Sequence, residues 1–201
     1  MHDTLPHRLR DAADRLGPEP VTVAALADAC GGALQGTLLV LLATPCVLPV
    51  PGIGNVMGAA LVMLGLAMWR GERADVLPAR VAAVTMPARW GARVLRLIAR
   101  FHEFAGRAMR TRLVPLAVVR RGGWLAPKVV LMGALIFLPI PLGNVLPAVS
   151  MVLTGLGLVR RDGLAVLVGA VFGAAAVAWT AALGVGAWAW IARPVLEALG
   201  A

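Results

Sequence analysis

The chain contains no tyrosine, one serine (Ser150), one lysine (Lys128), two asparagines (Asn55 and Asn144) and three histidines (His2, His7 and His102). So thin a polar inventory excludes most active sites. No Ser-His-Asp set can be assembled from it in an apolar setting, no histidine cluster has metal-ligand spacing, and no phosphate-cradling loop is present. The chain therefore reads as a non-enzyme with no metal and no cofactor. The one enzymatic alternative left is an arginine and carboxylate site acting on a lipid-linked sugar. Cys30 and Cys46 fit neither a disulfide framework nor a zinc spacing and read as small buried hydrophobes. His102, beside Glu103, reads as decoration of a membrane interface. The first thirty residues are mixed in charge, carry Pro6, Pro18 and Pro20, and lack a continuous apolar run. No secretory leader is expected, and the N-terminus is expected in the cytosol.

Charge is also scarce. Only 14% of residues are charged while 60% are hydrophobic, which is too apolar for a surface covered by water. Such a composition belongs to an integral membrane protein. The formal net charge of +9 would suit nucleic acid only on a polar scaffold, and none is present, so membrane lipid is the expected anionic partner.

Apolar blocks cover residues 34–48, 56–69, 129–138, 145–159 and 164–192. A bilayer core of ~30 Å needs about 20 helical residues, so the first four are expected to be half-helices and only the last a full crossing. Each pair of half-helices is joined by a turn rich in Pro and Gly, "PVPGIGNV" at 49–56 and "PIPLGNV" at 139–145. Proline inside a helix forfeits a backbone hydrogen bond. Backbone freed in that way survives in a membrane only when buried in protein or lining a watery cavity. Laid on one another at an offset of 90, residues 38–72 and 128–162 are identical at nine of 35 positions, including both prolines of each turn. The expected fold is an all-α integral membrane protein in one domain. It comprises a cytosolic arm at 1–32, whose second short helix Thr22 can cap, a first Pro/Gly-broken hairpin at 34–72, a basic amphipathic segment at 73–127, a second hairpin at 128–162, and a C-terminal transmembrane helix at 163–192.

Two sets of residues stand out as candidate sites. Asn55 and Asn144 each sit in a Gly-Asn-Val triplet, and two compatible readings apply. Either each asparagine caps the second half-helix of its hairpin, or the turns meet near the midplane. In the second case Pro49, Pro51, Gly54, Asn55, Pro139, Pro141, Gly143 and Asn144 form one polar site, as repeated broken helices do in transporters. The second set is a stripe of arginines recurring every three or four residues, Arg89, Arg93, Arg96, Arg100, Arg107 and Arg110, with Glu103 in the missing place. With Trp90, Val94, Leu97, Ile98, Phe101 and Phe104 largely off that stripe, they predict an amphipathic helix of about 22 residues lying in the interface, its arginines on anionic lipid.

Arginines flank the outer ends of both hairpins, so those ends are expected to face the cytosol. If both hairpins re-enter from that side, only the last block crosses, with Trp179, Trp188, Trp190 and Arg193 anchoring its far end. An inverted repeat would instead require the basic segment to cross. Gly169 and Gly173 make a small-xxx-small step, suited to packing within the chain or in a homodimer.

The segments "LLVLLATPCVLPVPGIGNV" and "FLPIPLGNVLPAVSMVLTGLGLVRRDGLAVLVG" closely resemble the exopolysaccharide synthesis ExoD family of bacterial membrane proteins, over roughly residues 20–192. One departure is Val76, before Leu77 and Pro78, where family members often carry Trp. The resemblance implies a multi-pass protein of the bacterial inner membrane that works with exopolysaccharide-synthesis machinery and has no established catalytic activity. Three functions follow. The chain supports exopolysaccharide synthesis without catalysis, by solute or lipid-sugar conduction through the paired turns. Alternatively it binds or flips a lipid-linked sugar or phospholipid, or, least in keeping with its polar inventory, it is a membrane enzyme on lipid-linked sugars.

Overall fold

The computed structural model describes residues 5–17, 19–47, 52–71, 85–119, 123–138 and 143–198. They form α1 (Leu5–Arg15), α2 (Val23–Cys30), α3 (Leu34–Ala43, continued by a 3-10 turn Thr44–Val47), α4 (Ile53–Arg70), α5 (Ala88–Ala108), α6 (Leu125–Phe137), α7 (Val145–Arg160) and α8 (Gly163–Ala198). Two-residue strands, Val21–Thr22 and Thr85–Met86, pair antiparallel and tie the start of α2 to the approach to α5. The Thr22 hydroxyl accepts the Ala25 amide at 3.2 Å, which is the expected cap of α2.

Ile53–Arg70 and Gly163–Gly186 are long and apolar enough to cross a membrane, and Ala24–Cys30 with Leu34–Val47 makes a third span if that pair, bent by 115°, counts as one. α4 is longer than its apolar block suggested, a correction to the expectation that only the last block is long enough to cross. Gly52, at φ 84°, turns the chain into a helix that starts at Ile53. The triplet Gly54-Asn55-Val56 therefore belongs to the first turn of α4, and its 18 residues reach ~27 Å at ~1.5 Å per residue. α6 and α7, with 13 and 16 residues, are too short to span alone.

Helix pairing does not follow the hairpins. α3 packs mainly on α7, and α4 on α6, so each arm of one hairpin lies against the opposite arm of the other. Small residues make this possible. A Cβ on Gly155 would fall 2.6 Å from the Gly36 carbonyl oxygen and 2.6 Å from Val40 Cγ2, and one on Gly65 would fall 3.2 Å from the Ala126 carbonyl and 2.7 Å from Val130 Cγ2. The second contact set is the first displaced by 90 residues with the halves exchanged. The outer ends match too. Gly71 and Arg161 both close their helices in the left-handed region, at φ 71° and 53°. Their amides donate to the carbonyls of Ala67 and Met68, and of Gly157 and Leu158, again 90 residues apart.

The order of contacts sets direction. Gly36 lies on Gly155 and Val159, and Val40 on Gly155, so α3 and α7 are antiparallel. Gly54 lies on Ile136, Gly58 on Gly133 and Gly65 on Ala126, so α4 and α6 are antiparallel. Gly54 also meets Asn144, which brings the N-terminal ends of α4 and α7 together. α3 and α6 therefore run the same way, and all four turn-side ends gather at one end of the bundle. Leu39, Leu61, Met68, Val129, Met132, Ile136 and Met151 fill its core.

A second layer covers the opposite end. Ala92, Leu95, Ile98 and Ala99 of α5 are buried against Leu9 and Ala13 of α1, Leu26 of α2 and Leu34 of α3. Arg10 pairs with Glu103 at 2.7 Å and Arg96 with Asp14 at 3.4 Å across the α1–α5 seam. Ile98, with Ala92, Leu95 and Ala99, is thus spent on protein, a correction to the expectation that it faces the membrane interface, while Trp90, Leu97 and Phe104 of the same expected set stay exposed. The arm is mixed in charge, but α1 offers a single apolar stripe, with Leu9 and Ala13 on it, that covers these residues.

The expectation for His102 also fails. This residue is 4% exposed, and its Nε2 lies 3.0 Å from Thr37 Oγ1 on α3. The Thr37 hydroxyl spends its one proton on the Ala33 carbonyl, so the imidazole must donate from Nε2. Burial, with the nearby Arg160 charge, pushes the imidazole down to about 4 from its ordinary 6.5. Unfolded chains bind this proton below ~6.5 and the folded protein does not, so stability is lost as pH falls from ~6.5 toward 4. The loss amounts to roughly 3 kcal/mol at most. His102→Gln keeps a donor for Thr37 without that proton, and its melting temperature in detergent should be flat across the window where the parent protein declines. Parallel pH profiles would refute this account.

Candidate functional site

The site is built where the two hairpins meet. Gly54 is buried in the first turn of α4, and a Cβ there would fall 2.5 Å from Asn144 Nδ2 and 2.9 Å from the Ile136 carbonyl oxygen. Only glycine lets the asparagine side chain lie flat against this helix. Asn144 occupies the N-cap position of α7, but its backbone is already helical at φ −79° and its side chain makes no capping bond. Its Oδ1 is enclosed and has no hydrogen-bond partner among the described residues, which for an amide in apolar surroundings is expensive. Asn55 differs. It is exposed, one residue past Gly54 inside α4, where it caps nothing. The structure thus joins Gly54 to Asn144, buries Gly143 beside them, and leaves Asn55 outside the junction. Pro49, Pro51, Pro139 and Pro141 lie outside the described residues.

The arginine stripe divides. Arg89, Arg93, Arg96, Arg100, Arg107 and Arg110 are all exposed. Arg89 and Arg96 line a groove with Asp14 at the α1 seam. Arg93, Arg100 and Arg107 follow the free side of α5. Arg110 lies past the helix end and uses its backbone amide on Asp162.

Sequence reasoning missed a polar line through the bundle. Lys128 of α6 is 9% exposed and donates to the Thr154 hydroxyl, Thr154 donates to the Ser150 carbonyl at 2.6 Å, and the Ser150 hydroxyl donates to the Gly169 carbonyl of α8 at 2.5 Å. Gly169 and Gly173 bring α8 close enough: Cβ atoms there would fall 2.8 Å from Thr154 Oγ1 and 3.0 Å from Ser150 Oγ. Their small-xxx-small step therefore serves packing within the chain. Among the described residues Lys128 has no carboxylate partner, and the ring of Trp124, one turn outward, lies 6.0 Å from its ammonium. The usable signal was composition: the only lysine and the only serine of an apolar chain fall in facing half-helices.

The family model for exopolysaccharide synthesis, ExoD, matches residues 5–182. The chain belongs to the ExoD family. This ExoD-family chain is 34% identical over 165 residues to Protein ExoD of Rhizobium meliloti (strain 1021), covering 77% of the chain and 68% of that protein. No solved structure matches it. Among the described residues no group of three or more His, Cys, Asp or Glu could hold a metal ion.

Proposed function

We propose that this ExoD-family chain is a non-enzymatic protein of the bacterial inner membrane that supports exopolysaccharide synthesis by passing a solute or a lipid-linked sugar along the junction of its two hairpins. Both hairpins enter from the arginine-rich side as parallel copies of one duplicated unit. The observation that carries this reading is the closure of Gly54 on Asn144. It gathers two helix N-termini, with their positive dipole ends, and an amide oxygen that has no partner among the described residues at one point inside an apolar bundle. The 90-residue exchange of contacts between the arms supports the duplication.

A deletion strain complemented with Asn144→Ala tests the proposal. Removing an unpaired amide oxygen should leave the melting temperature in detergent unchanged or higher, while exopolysaccharide secretion falls to the level of the deletion. Gly54→Ala should couple to it by ~0.5–3 kcal/mol in a double-mutant cycle, since the two positions touch, and Asn55→Ala should be additive. Full secretion by a well-folded Asn144→Ala protein would end the junction reading.

A second reading, a binder or flippase for lipid-linked sugars or phospholipids, is favoured by Lys128, because an ionisable side chain buried in an apolar bundle with no counter-charge among the described residues is a functional candidate by default. Lipid scrambling by the purified protein in liposomes, lost in Lys128→Met but kept in Asn144→Ala, would favour it over the first.

A further inference from the structure

With one face of α5 spent on α1, α2 and α3, its other side carries a pattern of its own. Trp90, Leu97 and Phe104 are 51, 57 and 59% exposed and recur every seven residues, and an arginine follows each by three: Arg93, Arg100 and Arg107. Seven residues return a helix to within ~20° of its start. The three apolar side chains thus form one line, with a line of guanidiniums beside it. Arg93 already folds over Trp90, 5.0 Å from the ring centroid.

We infer that this side of α5 is a docking face for anionic phospholipid, with Trp90, Leu97 and Phe104 dipping into the bilayer surface and Arg93, Arg100 and Arg107 held at phosphate depth. The inference rests on reading the chain as a membrane protein. Two observations choose lipid over a protein partner. A helical partner would need two apolar positions per heptad, and this face shows one. The helix also sits at the right level. His102 of α5 touches α3 near its start, and a Cβ on Gly106 would lie 3.9 Å from the Arg160 guanidinium at the end of α7. These are the outer, arginine-rich ends of the hairpin arms, where head groups belong. Arg89, Arg96 and Arg110 are excluded from the face: the first two line the α1 groove, and the third lies past the end of α5.

The full chain, reconstituted into vesicles of phosphatidylcholine with or without phosphatidylglycerol, carries the test. Nitroxides are placed one at a time at Leu97→Cys, Phe104→Cys, Arg89→Cys and Val171→Cys, the native Cys30 and Cys46 being buried. Depth is read from oxygen against water-soluble nickel relaxation. In phosphatidylglycerol vesicles, labels at 97 and 104 should report the head-group to acyl boundary and the label at 89 should report water. Replacing Arg93, Arg100 and Arg107 by Gln should reduce the docked fraction there by about fivefold per arginine, and should leave phosphatidylcholine vesicles unaffected. Labels at 97 and 104 as wet as the label at 89, or spin–spin broadening that vanishes on dilution with unlabelled protein, would overturn the inference, the latter in favour of a second copy. The label at 171 on α8 separates the two layers of the argument: if it too is wet, the membrane reading itself has failed.

Discussion

Replacing Gly155 with valine should abolish the folded protein. A Cβ at this position falls 2.6 Å from a backbone oxygen, that of Gly36, and 2.6 Å from Val40 Cγ2, and a main-chain carbonyl inside a helix cannot swing aside. α3 and α7 must part, which strips Leu39 and Met151 of their packing. Overpacking of a well-filled core costs ~1–3 kcal/mol, more where the obstacle is rigid. Gly155→Ala should sit near the upper end of that range and Gly155→Val beyond it. The nearest main-chain atom facing Gly65 is the Val130 nitrogen at a looser 2.9 Å, so Gly65→Ala should be milder than Gly155→Ala although the sites correspond. Gly184 and Gly186 of α8 have nothing within 4 Å, and alanine there should be neutral or stabilise by about 0.5–1 kcal/mol through backbone entropy. Thermal unfolding followed by size-exclusion in detergent ranks the four. An alanine variant at 155 that melts with the parent protein would mean that the arms do not cross as described.

The periodicities that reported this architecture were those that depend on one chain segment at a time. Apolar runs marked the arms, Thr22 marked the start of α2, and the heptad-like arginines marked α5 to within a residue or two of its ends. The turn residues marked where the hairpins break but not how the helices resume. Gly52, not Asn55, sets the start of α4, because a left-handed turn is available to glycine and the asparagine is then carried into the helix. Contacts between segments were harder to read. An exchange of arms leaves no local trace except glycine at Gly36, Gly58, Gly133 and Gly155, which in an apolar chain with 23 glycines hardly stands out. For the same reason the burial of His102 was invisible: its hydrogen-bond partner Thr37 is 65 residues away, while the residues beside it, Phe101 and Glu103, do not report it. The Lys128 line needed α6, α7 and α8 in register before an isolated lysine and an isolated serine could become one feature.

Asp162→Ala should be the most damaging change to a polar side chain, at about 3 kcal/mol or more. This carboxylate is fully buried at the start of α8. Oδ1 accepts the amides of Leu164 at 3.1 Å and Ala165 at 3.3 Å, which caps the helix, and the Arg112 Nε–H at 2.9 Å; Oδ2 accepts the Arg110 amide at 3.0 Å. Losing the cap costs ~1 kcal/mol. Each buried donor left bare adds ~1–3 kcal/mol, with the Arg112 share reduced because that guanidinium is 48% exposed. The same carboxylate pins the segment after α5, since the Gly163 amide donates to the Arg112 carbonyl at 2.7 Å and the Arg112 amide to the Arg161 carbonyl at 3.3 Å. Its loss should therefore loosen α5 as well as α8. Asn at 162 keeps one acceptor for the cap but turns a donor or an uncharged oxygen toward Arg110 and Arg112, so Asp162→Asn should cost about half as much. Burial alone would raise the Asp162 carboxyl, but the hydrogen bonds from Arg112, Arg110 and Ala165 and the Arg112 charge outweigh it and hold it below the usual carboxylate range. Its contribution is then complete above ~4 and is lost as pH falls through the depressed folded value, a window below the one assigned to His102. Acid titration of stability should show two separate declines, the upper removed by His102→Gln and the lower by Asp162→Asn. A single decline, unchanged in Asp162→Asn, would leave this carboxylate no charged role, and its four hydrogen bonds would have to be explained by capping alone.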